Sequence, residues 1–411
     1  MPTPSKSANS SAETRSDAPD QILLDEVRQV MHIESQTWGG NGDAYLVTFR
    51  GQLSLSARKA YHQLAEGISD LKLTPLFKED AGQHLIQIKN GVIEAENKQS
   101  WPNLVLFVIT FFSILFAGLL FSYTGPQVLD LSLIWAHVQP KLGEYFGFAV
   151  SLLAILTAHE FGHYFAARKH RTRVTLPYFI PFPISPFGTM GAFIRLQEPP
   201  RDKRVLLDIG LAGPVAGLLI AVPVLIYGLS LSTVQRLPQN LPAEYFFEGN
   251  SLLYLLLKYL VHNRVLPDPV SFQGLQPFVY WVKYFFTGAP LPHGAAKVII
   301  HPVAYAGWAG LLVTAFNLIP VGQLDGGHLM YSLLGNKAKK IWPVVFLILV
   351  ALGFVWMGWW LWAGLILIFG RTQAEPLDQI TELNPARKMM AVLGLVIFLL
   401  VFTPVPIVVV P

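Results

Sequence analysis

The stretch FGFAVSLLAILTAHEFGHYFAARKHRTR, residues 146–173, decides how the rest of the chain is read. It opens with an uncharged run, passes through His159-Glu160-Phe161-Gly162-His163, and ends in the basic cluster Arg168-Lys169-His170-Arg171-Thr172-Arg173. On a helix, residues four apart share a face, so two imidazoles can turn to one metal ion while Glu160 reaches a water beside it. The apolar run is long enough to enter a bilayer, and a basic cluster at the end of such a run marks the cytoplasmic side. The stretch therefore predicts a metal site inside a multi-pass α-helical membrane protein, near its cytoplasmic face.

Composition agrees with that class. Hydrophobic residues make up 52% of the 411 and charged residues only 14%, which points to a membrane protein with a limited water-soluble part. The net charge of +4 is modest, and its lysines and arginines cluster beside apolar runs, where they orient a membrane protein. No nucleic-acid partner is expected from them. With no cysteine in the chain, disulfides are excluded, and any zinc must be held by histidine and carboxylate.

Working outward from the metal motif, residues 1–20 are polar, lack the apolar core of a signal peptide, and are expected to be disordered. Residues 21–100 read as a small soluble α+β domain. It has a helix over 25–33, a strand over 44–49, helical apolar spacing over 54–71, and strands over 74–77 and 84–88. No catalytic pattern occurs there, so a regulatory or docking role is expected in preference to a second active site.

Residues 101–411 make up the membrane domain, with its core at 146–330. Runs at 101–125, 146–167, 206–230, 301–320 and 389–410 read as spans, and the uncharged stretch 341–370 as a tight helix pair broken near Gly353 and Gly358. About six to eight membrane segments result, at roughly 20 residues each. The third run carries Gly210, Gly213 and Gly217, small residues that let a neighbouring helix approach closely, and Pro214, which is expected to loosen the helix locally. Residues 174–196 are apolar but repeatedly broken by proline. Bare extended backbone cannot face lipid, so they are expected to form a hairpin or re-entrant loop buried against the helices. Residues 235–297 read as interfacial helices, because Lys258 and Lys283 interrupt their apolar stretches.

A catalytic zinc keeps three protein ligands and one open position. Counting crossings from the cytoplasmic end of the second span brings Asp325 back to the side of His159 and His163, which makes it the candidate third ligand. Its alternative role is a helix cap. His328 is a candidate for orienting a ligand, whereas His170 is expected to be a surface charge. Two histidines and a glutamate within an apolar segment are costly unless a metal offsets them.

These residues resemble the site-2 proteases, intramembrane zinc metalloproteases. The likeness rests on HEFGH at 159–163 and on Asn317-Leu318-Ile319-Pro320 running on to Leu324-Asp325-Gly326. Weaker matches are Gly188-Thr189-Met190-Gly191-Ala192, and Ala212-Gly213-Pro214 with Ala216-Gly217. Together they cover roughly residues 146–330. The resemblance implies one Zn2+ per chain held by His159, His163 and Asp325, with Glu160 as general base and Asn317 as a contact to the substrate backbone. The α+β domain and the lack of a PDZ-like insertion look closer to the cyanobacterial and plastid branch, or to simple bacterial relatives, than to the sigma-factor-regulating branch with its PDZ insertion. The implied substrate is the transmembrane segment of another membrane protein, which must be unwound before its carbonyls can be attacked. The unwound chain could add as a strand at Gly188, Thr189, Met190 and Gly191; alternatively, that loop only packs the helices. The implied setting is the cell inner membrane, with the lipid bilayer and a membrane-protein substrate as partners. A rival reading is a transporter or channel whose buried His, Glu and Asp form an ion path. A proton relay, however, does not require histidines four apart around a glutamate.

Overall fold

The computed structural model describes residues 17–40, 44–91, 99–123, 125, 130–239, 246–291 and 293–409. Contacts divide the chain into two units, Met1–Glu94 with Leu377–Thr381, and Ala95–Pro376 with Glu382–Pro411.

In the first unit, α1 (Asp17–Val30) is followed by β1 (Met31–Trp38), β2 (Val47–Leu53), α2 (Ala57–Gly67), β3 (Leu73–Asp80) and β4 (Gln83–Asn90). The strands form one antiparallel sheet in the order β1-β2-β4-β3. Leu23, Val27 and Val30 of α1 and Ala60, Tyr61 and Leu64 of α2 recur at helical spacing and bury one face of each helix. They meet Val47 and Phe49 of β2 and Ile86 and Ile88 of β4, which alternate as one face of a strand must. Leu377–Thr381 adds to the edge of β3 through Phe77 N–H to Leu377 O at 2.8 Å and Gln379 N–H to Phe77 O at 3.0 Å. The helix expected at 25–33 instead begins at Asp17 and stops at Val30. Met31 pairs with Leu53 and Ile33 with Gly51, so sheet pairing overrides the apolar spacing that seemed to continue the helix. Of the tail expected to be disordered, residues 1–16 lie outside the described residues, and 17–20 belong to α1.

Among the described residues, the second unit holds three helical stretches that are long and apolar enough to cross a membrane, Trp101–Phe121, Ser132–Lys169 and Lys203–Ser230. They comprise α3 (Trp101–Phe121), the short α4 (Leu131–Val138) with α5 (Leu142–Lys169), and α6 (Lys203–Ser230). Between α5 and α6, β5 (Tyr178–Pro181) and β6 (Thr189–Phe193) form an antiparallel hairpin, with Tyr178 opposite Phe193. The Asp202 carboxylate caps α6 by accepting from the N–H groups of Arg204 and Val205 at 2.9 and 3.0 Å. Pro214 and Pro223 lie inside α6, which runs unbroken through both.

Beyond α6 come β7 (Thr233–Arg236), β8 (Phe246–Glu248), α7 (Leu252–His262), α8 (Pro277–Thr287) and β9 (Ala296–Ile299). Each of α7 and α8 is 11 residues long, about 16 Å, too short to span. The chain continues through α9 (Pro302–Asn317), α10 (Asp325–Leu334), α11 (Trp342–Gly353), α12 (Gly358–Phe369), α13 (Pro385–Val401) and β10 (Ile407–Val409), which pairs with β8. At 12 residues each, α11 and α12 form the helix pair expected from Gly353 and Gly358. The run read as a span at 301–320 contains the shorter α9, whereas α13 starts ahead of the run at 389–410 and stops at Val401, and β10 takes up the end of that run. The core of this unit is shared by α5, α6 and α9: Leu152, Ile155 and Leu156 pack with Ala221, Leu225, Trp308, Leu311 and Ala315.

Candidate metal centre

His159 and His163 lie one turn apart on α5 with Glu160 beside them, and all three are buried. Asp325 opens α10 and meets them from across the bundle. The two Nε2 atoms are 3.2 Å apart, and Asp325 Oδ2 is 3.4 Å from the first and 3.3 Å from the second. Ligands placed tetrahedrally about 2.0–2.1 Å from a zinc ion stand about 3.3–3.4 Å from one another. The three atoms thus mark out one face of such a tetrahedron. Leu324, not Asp325, occupies the N-cap of α10, so the aspartate is free of the capping role that was its alternative.

The backbone of α6 comes close to the imidazoles because its facing positions carry no side chain. A Cβ on Gly213 would fall 2.0 Å from His163 Nε2, and one on Gly217 would fall 3.2 Å from His159 Nδ1. His163 Nδ1 lies 2.7 Å from the carbonyl of Ile209. Donation to that oxygen holds the proton on Nδ1 and leaves the Nε2 lone pair for a cation. The donor set, its spacing and its tautomer all fit a zinc ion.

Asp208, the neighbour of Ile209, is gripped from two other helices. Arg387 of α13 donates from Nε to Oδ1 at 3.0 Å and from Nη2 to Oδ2 at 2.8 Å, while His170 Nε2 lies 2.9 Å from Oδ2. His170 is therefore a half-buried partner of an aspartate, not the surface charge its basic neighbours suggested. The Asp208 and Arg387 positions are 179 residues apart, so nothing in local spacing could reveal them. The grip fixes the segment that orients His163. Asp208→Ala is accordingly expected to weaken metal affinity by up to about tenfold, measured by competition with a chelating dye.

The hairpin lies beside this group. Ile194, just past β6, turns its backbone N–H toward the Glu160 carboxylate. Asn103 of α3 donates to the carbonyls of Leu176 and Pro177 at 3.1 and 2.9 Å, and Ser113 donates to Gly188 O at 2.6 Å. These two anchors were not legible in the sequence. Gly188, at φ +68°, is pressed against α3, where a Cβ would lie 2.4 Å from Ile114 Cα. Thr189 turns inward to donate to Ile180 O at 2.8 Å, whereas Met190 is 68% exposed and Gly191 lies beside it. Of the four hairpin residues singled out, two secure the turn and two front it. Asn317, the last residue of α9, places its side-chain Nδ2 3.2 Å from His159 Nε2, next to the ligand set. His328 packs over Gly210, and among the described residues no hydrogen bond links its ring to a ligand.

The model of peptidase family M50 matches residues 147–356, just over half of the chain. "Probable zinc metalloprotease EGY1, chloroplastic" from Arabidopsis thaliana is 27% identical over 90% of this chain and 66% of its own length. The protein of the same name from Oryza sativa subsp. japonica is 30% identical over 74% of this chain and 50% of its own. "Probable zinc metalloprotease EGY2, chloroplastic" from Oryza sativa subsp. indica is 30% identical over 47% of this chain and 30% of its own. The chain thus spans between 30% and 66% of these relatives' lengths. No solved structure matches it.

Proposed function

The chain belongs to peptidase family M50, and from that premise we propose that it is a zinc endopeptidase that hydrolyses peptide bonds in or near the transmembrane segments of other membrane proteins. The observation that carries the reading is the triangle of His159 Nε2, His163 Nε2 and Asp325 Oδ2, with edges of 3.2–3.4 Å and Glu160 beside it. Zinc held by these three residues supplies Lewis acidity, polarising the scissile carbonyl and acidifying water. Glu160, buried beside the two imidazoles, takes the proton from the attacking water and returns it to the leaving amine. Asn317, beside His159, is placed to donate to the substrate carbonyl as its oxygen gains charge.

A transmembrane helix hides its carbonyls in its own hydrogen-bond ladder, so the substrate has to be unwound before attack. Beta6 has β5 on one side only, and its exposed Met190 and neighbouring Gly191 offer an edge to which an extended chain can add, running toward Glu160. The basic clusters at the ends of α5 and before α6 put the centre near the cytoplasmic side of the bilayer, or the side equivalent to it. The relatives' names are chloroplastic and give no support to a cell inner membrane. They favour a plastid-type membrane, and we adopt that in its place.

An ion-conducting role is less well supported, because three ligand atoms at tetrahedral spacing define a closed binding point, not a path. The test uses the purified full chain in proteoliposomes with a tagged single-span reporter. Phenanthroline is expected to stop cleavage, and one equivalent of zinc to restore it. Cleavage that persists after the metal has been removed would contradict the reading, and ion flux that survives chelation would favour the rival.

A further inference from the structure

The buried charges that the proposed hydrolysis leaves unused gather around Glu248 of β8. Lys297 Nζ lies 2.7 Å from its Oε2, with the two side chains 7% and 5% exposed, and the Tyr254 hydroxyl donates to its Oε1 at 3.2 Å. Buried ion pairs add little stability and can often be replaced by apolar residues without loss. This one fixes a carboxylate that still has acceptor capacity, because an ionised carboxyl offers about four lone-pair sites and two are taken among the described residues. Glu248 is also among the residues that line a cavity of about 360 Å³.

The remaining wall is largely aromatic. Tyr145 and Phe148 come from α5, Tyr305 and Trp308 from α9, and Pro186 from the hairpin tip. Phe148 and Tyr305 stack at 5.9 Å and 25°, and Tyr305 and Trp308 at 5.2 Å and 19°, so the rings form a set of near-parallel planes. The Trp308 N–H is already spent on Gly249 O at 2.9 Å. Phe148 precedes His159 by about 16 Å of helix, so the cavity is separate from the metal centre. It nevertheless touches, through Pro186, the hairpin that lies beside the metal centre.

We propose that this cavity binds a ring-bearing amphiphile with a single hydroxyl or N–H donor, the donor resting on Glu248 and the ring lying among the aromatic planes. A cation is disfavoured, since Lys297 already offsets the carboxylate and Lys258 Nζ is buried close by on Asn250 Oδ1 at 2.6 Å and Leu266 O at 2.8 Å. An anion would face the Glu248 carboxylate directly. A plain acyl chain would dry that carboxylate without replacing the hydrogen bonds water gives it, which is costly. Two sources share the favoured chemistry: a tyrosine or tryptophan on the flank of a substrate, and a free phenol dissolved in the bilayer.

The experiment follows 4-fluorophenol and 4-fluoroanisole by fluorine NMR with the full chain in phosphatidylcholine nanodiscs. It is read without cleavage and so does not depend on the proposed hydrolysis. The phenol is expected to bind saturably and the donor-free anisole about tenfold more weakly. Tyr305→Leu with Trp308→Leu should abolish binding of the phenol, and Glu248→Gln should weaken it several-fold while bound metal stays at one per chain. Because Glu248→Gln leaves Lys297 without its partner, the Tyr305 and Trp308 pair is the variant that decides if that chain fails to fold. Equal affinity for the two probes, or phenol binding that survives the Tyr305 and Trp308 replacements, would overturn the proposal. A single-span peptide with an outer-flank tyrosine that displaces the probe, where its phenylalanine version does not, identifies the substrate as the source. If neither peptide displaces it, the source is a free phenol; equal displacement by both would count against the donor's role.

Discussion

Glu160→Gln is expected to keep one metal ion bound per chain and to lower reporter cleavage by about 10²–10⁴-fold. The amide preserves the shape of the side chain and its packing beside the two imidazoles, so the pocket has no reason to reorganise. What it loses is the ability to take a proton from water and hand it to the leaving amine. The residue is buried and adjacent to both imidazoles, and no other carboxylate than Asp325 belongs to the three-ligand group. Measuring metal content and cleavage on the same preparation separates the two roles. Full cleavage by the variant would require a different base, and loss of metal would show that Glu160 supports the ligands instead of the proton transfer.

Gly213→Ala is expected to expel the metal even though the substitution adds a single methyl group to a residue that is not a ligand. The new Cβ would lie 2.0 Å from His163 Nε2, 2.4 Å from Cδ2 and 2.5 Å from Cε1, so the clash falls on the ligating edge of the ring. His163 cannot swing away without giving up Ile209 O, and Gly213 sits within the backbone of α6, which packs along α5. We expect metal affinity to fall by about 100-fold, at the upper end of what outer-shell changes cost. Gly217→Ala, whose Cβ would approach His159 Nδ1 only to 3.2 Å, should cost much less. Gly364→Ala on α12 meets nothing within 4 Å and serves as the neutral control. Unchanged metal binding in Gly213→Ala would mean that α5 and α6 are farther apart than described.

How much of this was legible in the sequence depended on the range of the interaction. His159, Glu160 and His163 announce themselves because a helix turns their four-residue spacing into a shared face. Asp325 could be reached by counting crossings, since basic clusters fix the side on which each span ends, and the structure does bring it to the imidazoles. The hairpin followed from the crowding of Pro177, Pro181, Pro183 and Pro186 into ten residues, where α6 carries only two well-separated prolines. Pairings between distant segments were not legible. Asp208 with Arg387, Ser113 with Gly188, and β8 with β10 join residues tens to hundreds of positions apart with no periodic signature. Beta1 was misread for a related reason: Met31 and Ile33 continue the apolar rhythm of α1, and only the partner strand decides that the helix ends at Val30. Gly213 was recognised as a close-packing residue, but the atom it accommodates became visible only in three dimensions.

The central claim is that two imidazoles of α5 and the carboxylate of Asp325 hold one zinc ion. It is tested most directly by zinc K-edge absorption spectroscopy on the full chain, compared with Asp325→Ala. The account predicts one zinc per chain, two imidazoles and light oxygen ligands at about 2.0–2.1 Å, and loss of both stoichiometry and that spectrum in the variant. Zinc well below one per chain in the parent protein, or an unchanged spectrum in Asp325→Ala, would contradict it.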